Sequence, residues 1–284
     1  MKKIRIVTDS TADISKEVRE ALDIEMVPLK VHFGTDTYQD YVTIQPKQFY
    51  ELLANNAALP TTSQPSPVEF VEIYKKLTLD PDVQIISLHI SSALSGTFQS
   101  ATLAKQLLEG KADITIYDSK SASYGLGLLV IAAAEAAKQG KSKDEILTMI
   151  RKQRGDSTLY FLVDTLEYLQ KGGRIGKAAA FMGSLLNIKP ILSVDTEGEV
   201  VSVDKVRGQK KAMMRIVELL RQKEVSRHEV QFMIAHSTTT IIAEEFGLLL
   251  QDNFQVKSLL YTQLGPVIGT HVGPGALSAF MYPV

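Results

Sequence analysis

Apolar and β-branched residues run almost unbroken at Ile4 to Val7, Val83 to Ile90, Ile114 to Tyr117 and Leu159 to Val163. Runs of this length without clean alternation are what strands covered on both faces require, so they predict a parallel sheet. Each run ends in small polar residues and passes into a helical pattern: Asp9-Ser10-Thr11, Ser91-Ser92 on through Ser95-Gly96-Thr97, Asp118-Ser119 and Asp164-Thr165. Ser, Thr and Asp at such points cap the free N–H groups of the next helix, and they mark the carboxyl edge of the sheet, where open α/β folds hold ligands.

Between the first two runs the pattern is less regular. Pro28 to Phe33 predicts a strand, Pro46 to Ala54 a helix with proline near its first turn, and Thr61 to Pro67 a stiff loop leading into a helix from about Val68 to Leu77. The character changes after about residue 155. The glycine-rich turn Lys171-Gly172-Gly173-Arg174-Ile175-Gly176 precedes a small-residue helical run from Ala178 to Leu186, then strands at Ile191 to Val194 and Val200 to Val206. Lys210 to Lys223 reads as an amphipathic helix with Met213, Ile216, Val217 and Leu220 on one face. Strands at Val230 to Ala235 and near Val256 to Tyr261 flank a helix from Glu244 to Leu250. The expectation is an α/β protein of two lobes, residues 1–155 with the parallel sheet and a smaller second lobe over residues 156–284.

The 284 residues suffice for two modest cores. With 31 basic against 32 acidic residues the net charge is -1, which offers no general attraction to nucleic acid or anionic lipid. Cysteine is absent, removing disulfides, thiolate nucleophiles and thiolate metal sites together. The opening run is too short and too soon interrupted by Arg5 for a signal peptide, and the stretch from about Ser121 to Ala134 is too short to span a bilayer. A cytoplasmic protein without a membrane-spanning segment is expected.

Candidate chemistry narrows by elimination. The five histidines are scattered with no paired-ligand spacing, so no metal is expected; Asp9, Asp118 and Asp164 read more simply as helix caps than as magnesium ligands. No phosphate-binding loop or dinucleotide fingerprint is present. Ser91, Ser92 and Ser95 with His271 form a triad on paper, but the GxSxG elbow is missing. Hydroxyls near a helix start suit a carboxylate, whose lone pairs they satisfy without a covalent step. Thr62, Ser92 and Ser95 fit that role and fit simple capping equally well. Arg174, set among three glycines, is presented to a ligand or partner, or forms a surface ion pair. His271, ahead of a turn made rigid by Gly273-Pro274-Gly275, is a functional residue or an ordinary exposed histidine.

Five segments together resemble the DegV family of bacterial fatty-acid-binding proteins: Thr62-Ser63-Gln64-Pro65-Ser66, Ser91 to Thr97, Lys171 to Ile175, Lys205 to Ala212 and Thr270 to Gly275. The likeness begins at Val7-Thr8-Asp9-Ser10-Thr11-Ala12-Asp13 and continues nearly to the end of the chain. The resemblance implies a DegV-like two-domain α/β fold whose C-terminal lobe has a mixed or antiparallel sheet. It implies a non-catalytic binding protein for one long-chain fatty acid such as palmitate or oleate, with no cofactor. Thr62 and Ser95 would bind the carboxylate with Ser92 close by. Arg174 and His271 would present the acid, or handle phosphate, for a separate ATP-dependent fatty acid kinase that makes an acyl phosphate. Phe161, Leu166, Phe181, Met182, Leu185, Leu186 and Ile188 are candidate tail contacts, with core packing the alternative for each. An acyl or small-carbonyl-processing enzyme and a lipid-sensing regulator are the other functions compatible with the sequence.

Overall fold

The computed structural model describes residues 3–80, 82–110, 112–181, 188–223, 228–238 and 240–284. Strands β1 (Lys3–Asp9), β2 (Ile24–Val27), β6 (Val83–His89) and β7 (Asp113–Asp118) form an all-parallel sheet in the order β2-β1-β6-β7. Its strands are apolar in unbroken runs because both faces are covered. Val7 and Ile85 pack on one face against Phe70 and Tyr74 of α3 (Pro67–Leu77) and Ala101 of α4 (Thr97–Leu107). Their neighbours Ile6 and Ile86 pack on the other face against Leu126 and Leu129 of α5 (Tyr124–Lys138) and Ile146 of α6 (Lys143–Asp156). Capping boxes start two of these helices, Ser66 with Glu69 and Ser142 with Glu145.

A second sheet carries the rest of the chain. Its strands are β8 (Thr158–Leu162), β9 (Ile188–Val194), β10 (Val200–Arg207), β11 (Val230–His236), β12 (Val256–Gln263) and β13 (Leu277–Pro283), in the order β10-β9-β8-β13-β11-β12. Only the β11–β12 pair is parallel, so the sheet is mixed. Helices α8 (Gln209–Arg221) and α9 (Thr240–Gln251) cover one face, where Ile216, Leu220 and Phe246 meet Phe232 and Met281. The opposite face meets the first lobe: Tyr124 and Leu128 of α5 pack with Phe161, Leu192 and Phe280. Helix α5 is thus held between the two sheets, which explains why it is apolar nearly all round.

Three assignments differ from the sequence reading. The Leu159 to Val163 run belongs to the mixed sheet, antiparallel to both neighbours, and the fourth parallel strand is β2. A continuous apolar run reports burial on two faces, which both sheets provide, and says nothing about strand direction. Strand β3 (Lys30–Phe33) joins β4 (Asp36–Gln39) and β5 (Thr61–Ser63) in a separate antiparallel sheet, so Thr62 stands on a strand and not on a loop. Beneath it α2 (Pro46–Asn55) buries Phe49 and Tyr50. His271 lies on α10 (Pro266–Val272), a seven-residue helix of β-branched residues and glycine that local propensity disfavours.

Tertiary contacts hold α10 in place. The carboxylate of Asp13 accepts from the Gly265 N–H at the start of α10 (3.1 Å), from the Tyr41 hydroxyl (3.1 Å) and from the Ser123 hydroxyl (2.5 Å). One buried side chain therefore joins four distant segments. Burial, opposed by these three hydrogen bonds, raises the Asp13 carboxyl from 3.8 to about 7. The folded chain binds that proton more tightly than the unfolded chain, so the contribution is fully present below pH 3.8 and is lost as pH rises to about 7. Asp13→Asn should flatten the fall in stability between pH 4 and 8 by up to a few kcal/mol. Urea unfolding of both proteins across that range checks this, and parallel pH profiles would contradict it.

Candidate functional site

Between the sheets lies a cavity enclosing about 830 Å³ of empty space, its open mouth included. Its walls are apolar and come from both lobes: Leu94 and Ile90 from the first, Phe161 and Phe280 from the mixed sheet, Ile268 and Val272 from α10. Its polar lining is Thr62, Ser95, Ser123, Arg174, His271 and Ser278, and the sequence candidates that meet there are Thr62, Ser95, Arg174 and His271.

These four residues, spread over more than 200 positions, are tied to one another. The Thr62 hydroxyl lies 2.8 Å from His271 Nε2. Strand β5 brings Thr62 beside β3 opposite Val31, and α10 brings His271 to it. Arg174 donates through Nε to the Leu94 carbonyl (2.9 Å) and through Nη1 to the Gly172 carbonyl (2.6 Å). Leu94 precedes Ser95, whose Oγ is 2.9 Å from Thr97 Oγ1 and accepts from the Thr97 N–H (3.3 Å). Among the described residues no carboxylate pairs with Arg174. Burial, reinforced by the nearby Arg174 charge, lowers the His271 imidazole from 6.5 to about 4, and the ring is neutral at physiological pH.

The neutral ring carries one proton, and its Nδ1 is buried without a hydrogen-bond partner. A bare lone pair there is less costly than an orphaned N–H, which favours the proton on Nε2. Nε2–H then donates to Thr62, leaving the Thr62 hydroxyl proton free to turn into the cavity. Ser95 is poised in the same way when Thr97 donates to it.

Ser92 is not part of the lining. Its amide donates to Asp118 (3.2 Å) and its hydroxyl accepts from Lys120 (3.4 Å). Of the proposed tail contacts, Phe161 lines the cavity. Leu166 packs against the neighbouring core, Phe181 sits under the Lys205 ammonium 5.5 Å away, and half-buried Ile188 opens β9 opposite Arg207. None of these three is in the cavity wall. Met182, Leu185 and Leu186 lie outside the described residues. The walls on β13 and α10 were not predicted, because neither element was recognised in the sequence. Of the three aspartates read as caps, Asp9 accepts from the Thr11 N–H and caps the short turn Ser10–Ala12. Asp118 instead braces the Ser92 and Lys120 amides, and Asp164 pairs with Lys189 (2.6 Å).

A serine, a histidine and an aspartate do stand in line, at a different place. Ser87 Oγ is 2.7 Å from His89 Nε2, and His89 Nδ1 is 3.0 Å from Asp9 Oδ2. Tyr74 donates to Ser87 (2.8 Å), so the serine proton is directed at His89. All four side chains are wholly buried and none lines the cavity, so the chain of bonds fastens α3, β6 and β1 together. The His271 of the paper triad meets Thr62 and no serine. Among the described residues no group of three or more His, Asp or Glu could hold a metal ion, and no helix is long and apolar enough to cross a membrane.

A family model described as "Uncharacterised protein, DegV family" matches residues 3–284. The chain belongs to the DegV family. Protein DegV of Bacillus subtilis is 38% identical over 275 residues, covering 96% of this chain and 97% of its own. A DegV family structure from Thermus thermophilus, reported for its fatty acid binding, superimposes with TM-score 0.93 at 37% identity over the whole of both chains. A stearic acid-binding protein from Eubacterium ventriosum does so with TM-score 0.90 at 26% identity, covering 100% of this chain and 98% of its own. The two-lobed DegV architecture with one parallel and one mixed sheet is therefore common to this chain and these structures.

Proposed function

We propose that this DegV chain binds one long-chain fatty acid, with the carboxylate at Thr62, Ser95, Arg174 and His271 and the tail between the lobes. The carrying observation is the shape of the polarity: an apolar cavity between two sheets whose polar lining includes two hydroxyls, a neutral imidazole and an unpaired guanidinium. The fatty acids bound by the Thermus and Eubacterium relatives support the same ligand class here. Hydroxyls whose protons are free to donate, beside a guanidinium, satisfy a carboxylate without a nucleophile.

The energetics favour tight carriage. Each buried methylene contributes about 0.8 kcal/mol, so a tail of about 14 to 16 methylenes contributes on the order of 10 kcal/mol before the costs of ordering and association. Palmitate and oleate are representative ligands of this class. The reading extends to hand-over: the bound carboxylate is presented to a separate ATP-dependent fatty acid kinase that makes the acyl phosphate, with Arg174 and His271 beside the reacting end. In that scheme the chain supplies the bound substrate and the kinase the chemistry, in the cytoplasm. We place the boundary between the lobes at residues 155 and 156.

Two variants test the binding and hand-over steps separately. Thr62→Val combined with Ser95→Ala removes two donors with little change in volume. It should weaken fatty-acid affinity in a calorimetric titration by about 10- to 100-fold, at about 1 kcal/mol per lost hydrogen bond, with the fold retained. Unchanged affinity would refute the head-group assignment. Arg174→Ala should lower acyl-phosphate formation with the partner kinase by a larger factor than it lowers lipid binding. Full acyl-phosphate production by that variant would sink the presentation role.

A further inference from the structure

The turn after α7 (Glu167–Lys171) contains two consecutive glycines with different reasons to be there. Gly173 has φ 71°, in the left-handed region that side chains disfavour, and a Cβ added to it would meet nothing within 4 Å. Gly172 is the reverse. Its φ of -75° and ψ of -10° suit any residue, so conformation does not require glycine. A Cβ there would lie 2.3 Å from Nδ1 and 3.0 Å from Cε1 of His271.

The contact falls on the one edge of the imidazole that nothing else holds. Nε2 is bonded to Thr62 at 2.8 Å, whereas Nδ1 has no hydrogen-bond partner and rests against Gly172. The same residue's carbonyl accepts from Arg174 Nη1, and Arg174 Nε reaches the Leu94 carbonyl next to Ser95. A circuit of contacts therefore runs from Thr62 through His271, Gly172 and Arg174 to the Ser95 loop. Gly172 is the member that touches both the histidine and the arginine.

We infer that Gly172 is a positioning residue, and that the space left by its missing side chain seats His271 against Thr62. Only the binding consequence rests on the reading of Thr62 and Ser95 as head-group donors. The seat itself is a property of the ligand-free protein.

The test is Gly172→Ala, examined alone and with His271→Ala. In the single variant the added methyl should push the ring out of its seat. The His271 imidazole, followed by NMR titration without ligand, should then leave its depressed value of about 4 and move toward 6.5. Fatty-acid affinity should fall about tenfold, as a coupled pair in contact would give. In the His271→Ala background the methyl meets no ring and should leave affinity unchanged, and the fall in melting temperature should shrink to what the Tyr168 carbonyl, 2.9 Å from the added Cβ, imposes. A shifted titration with unchanged fatty-acid affinity would uphold the seat and overturn the head-group reading instead. An unshifted His271 titration in Gly172→Ala would overturn the proposal. So would a fall in melting temperature as large in the double variant as in the single one, because it would assign the whole collision to the Tyr168 carbonyl.

Discussion

The hydrogen bond between Thr62 and His271 depends on nearly every other feature of the structure. It joins residues 209 positions apart, one on a three-residue strand and one on a seven-residue helix, and neither element would persist alone. The strand exists because β3 pairs with it, and the helix exists because Asp13 holds its first amide while Val267 packs among Phe49, Tyr50 and Leu29. With those supports in place, burial keeps the imidazole neutral, so its one proton can hold the Thr62 oxygen while the Thr62 hydroxyl proton stays free to donate.

Helix α5 performs the corresponding task for the apolar end. It packs Leu126 and Leu129 toward the parallel sheet and Tyr124 and Leu128 toward the mixed one, so the two lobes share a core. Close packing between the lobes leaves the open space at the edge of this helix, where Ala122 and Ser123 line it. Ser123 also donates to Asp13, so the same carboxylate that holds α10 anchors the start of α5. Polar end and apolar wall are thereby fixed to one buried side chain.

Much of this was legible from the chain. The runs ending at Asp9, Ser91 and Asp118 identified three parallel strands and the edge beside which the site lies, because a two-faced core and small capping residues leave local signatures. Thr62, Ser95, Arg174 and His271 were singled out by residue type and by glycine and proline around them, and all four line one cavity. What escaped was set by tertiary contacts. Strand β13 contains Ser278 and Ala279, weak strand formers that are kept in the sheet by β8 and β11 on either side. Helix α10 runs against its own propensity, and Ser92 is held by Asp118 and Lys120, partners that only the fold brings to it. The tail contacts other than Phe161 were sought beside the glycine-rich turn because that segment is apolar, whereas Leu159 and Phe161 of β8 and Leu277, Ser278 and Phe280 of β13 share one wall only once the strands are paired.

The central claim is that the cavity between the lobes carries a long-chain fatty acid. Mass spectrometry of the purified protein tests it most directly, first under native conditions and then after denaturing extraction, with fatty acid added back to any protein that is found empty. The account predicts one bound molecule per chain with the mass of a long-chain fatty acid, either co-purified or regained on addition. A protein that is empty as isolated and stays empty in the presence of excess fatty acid would contradict it.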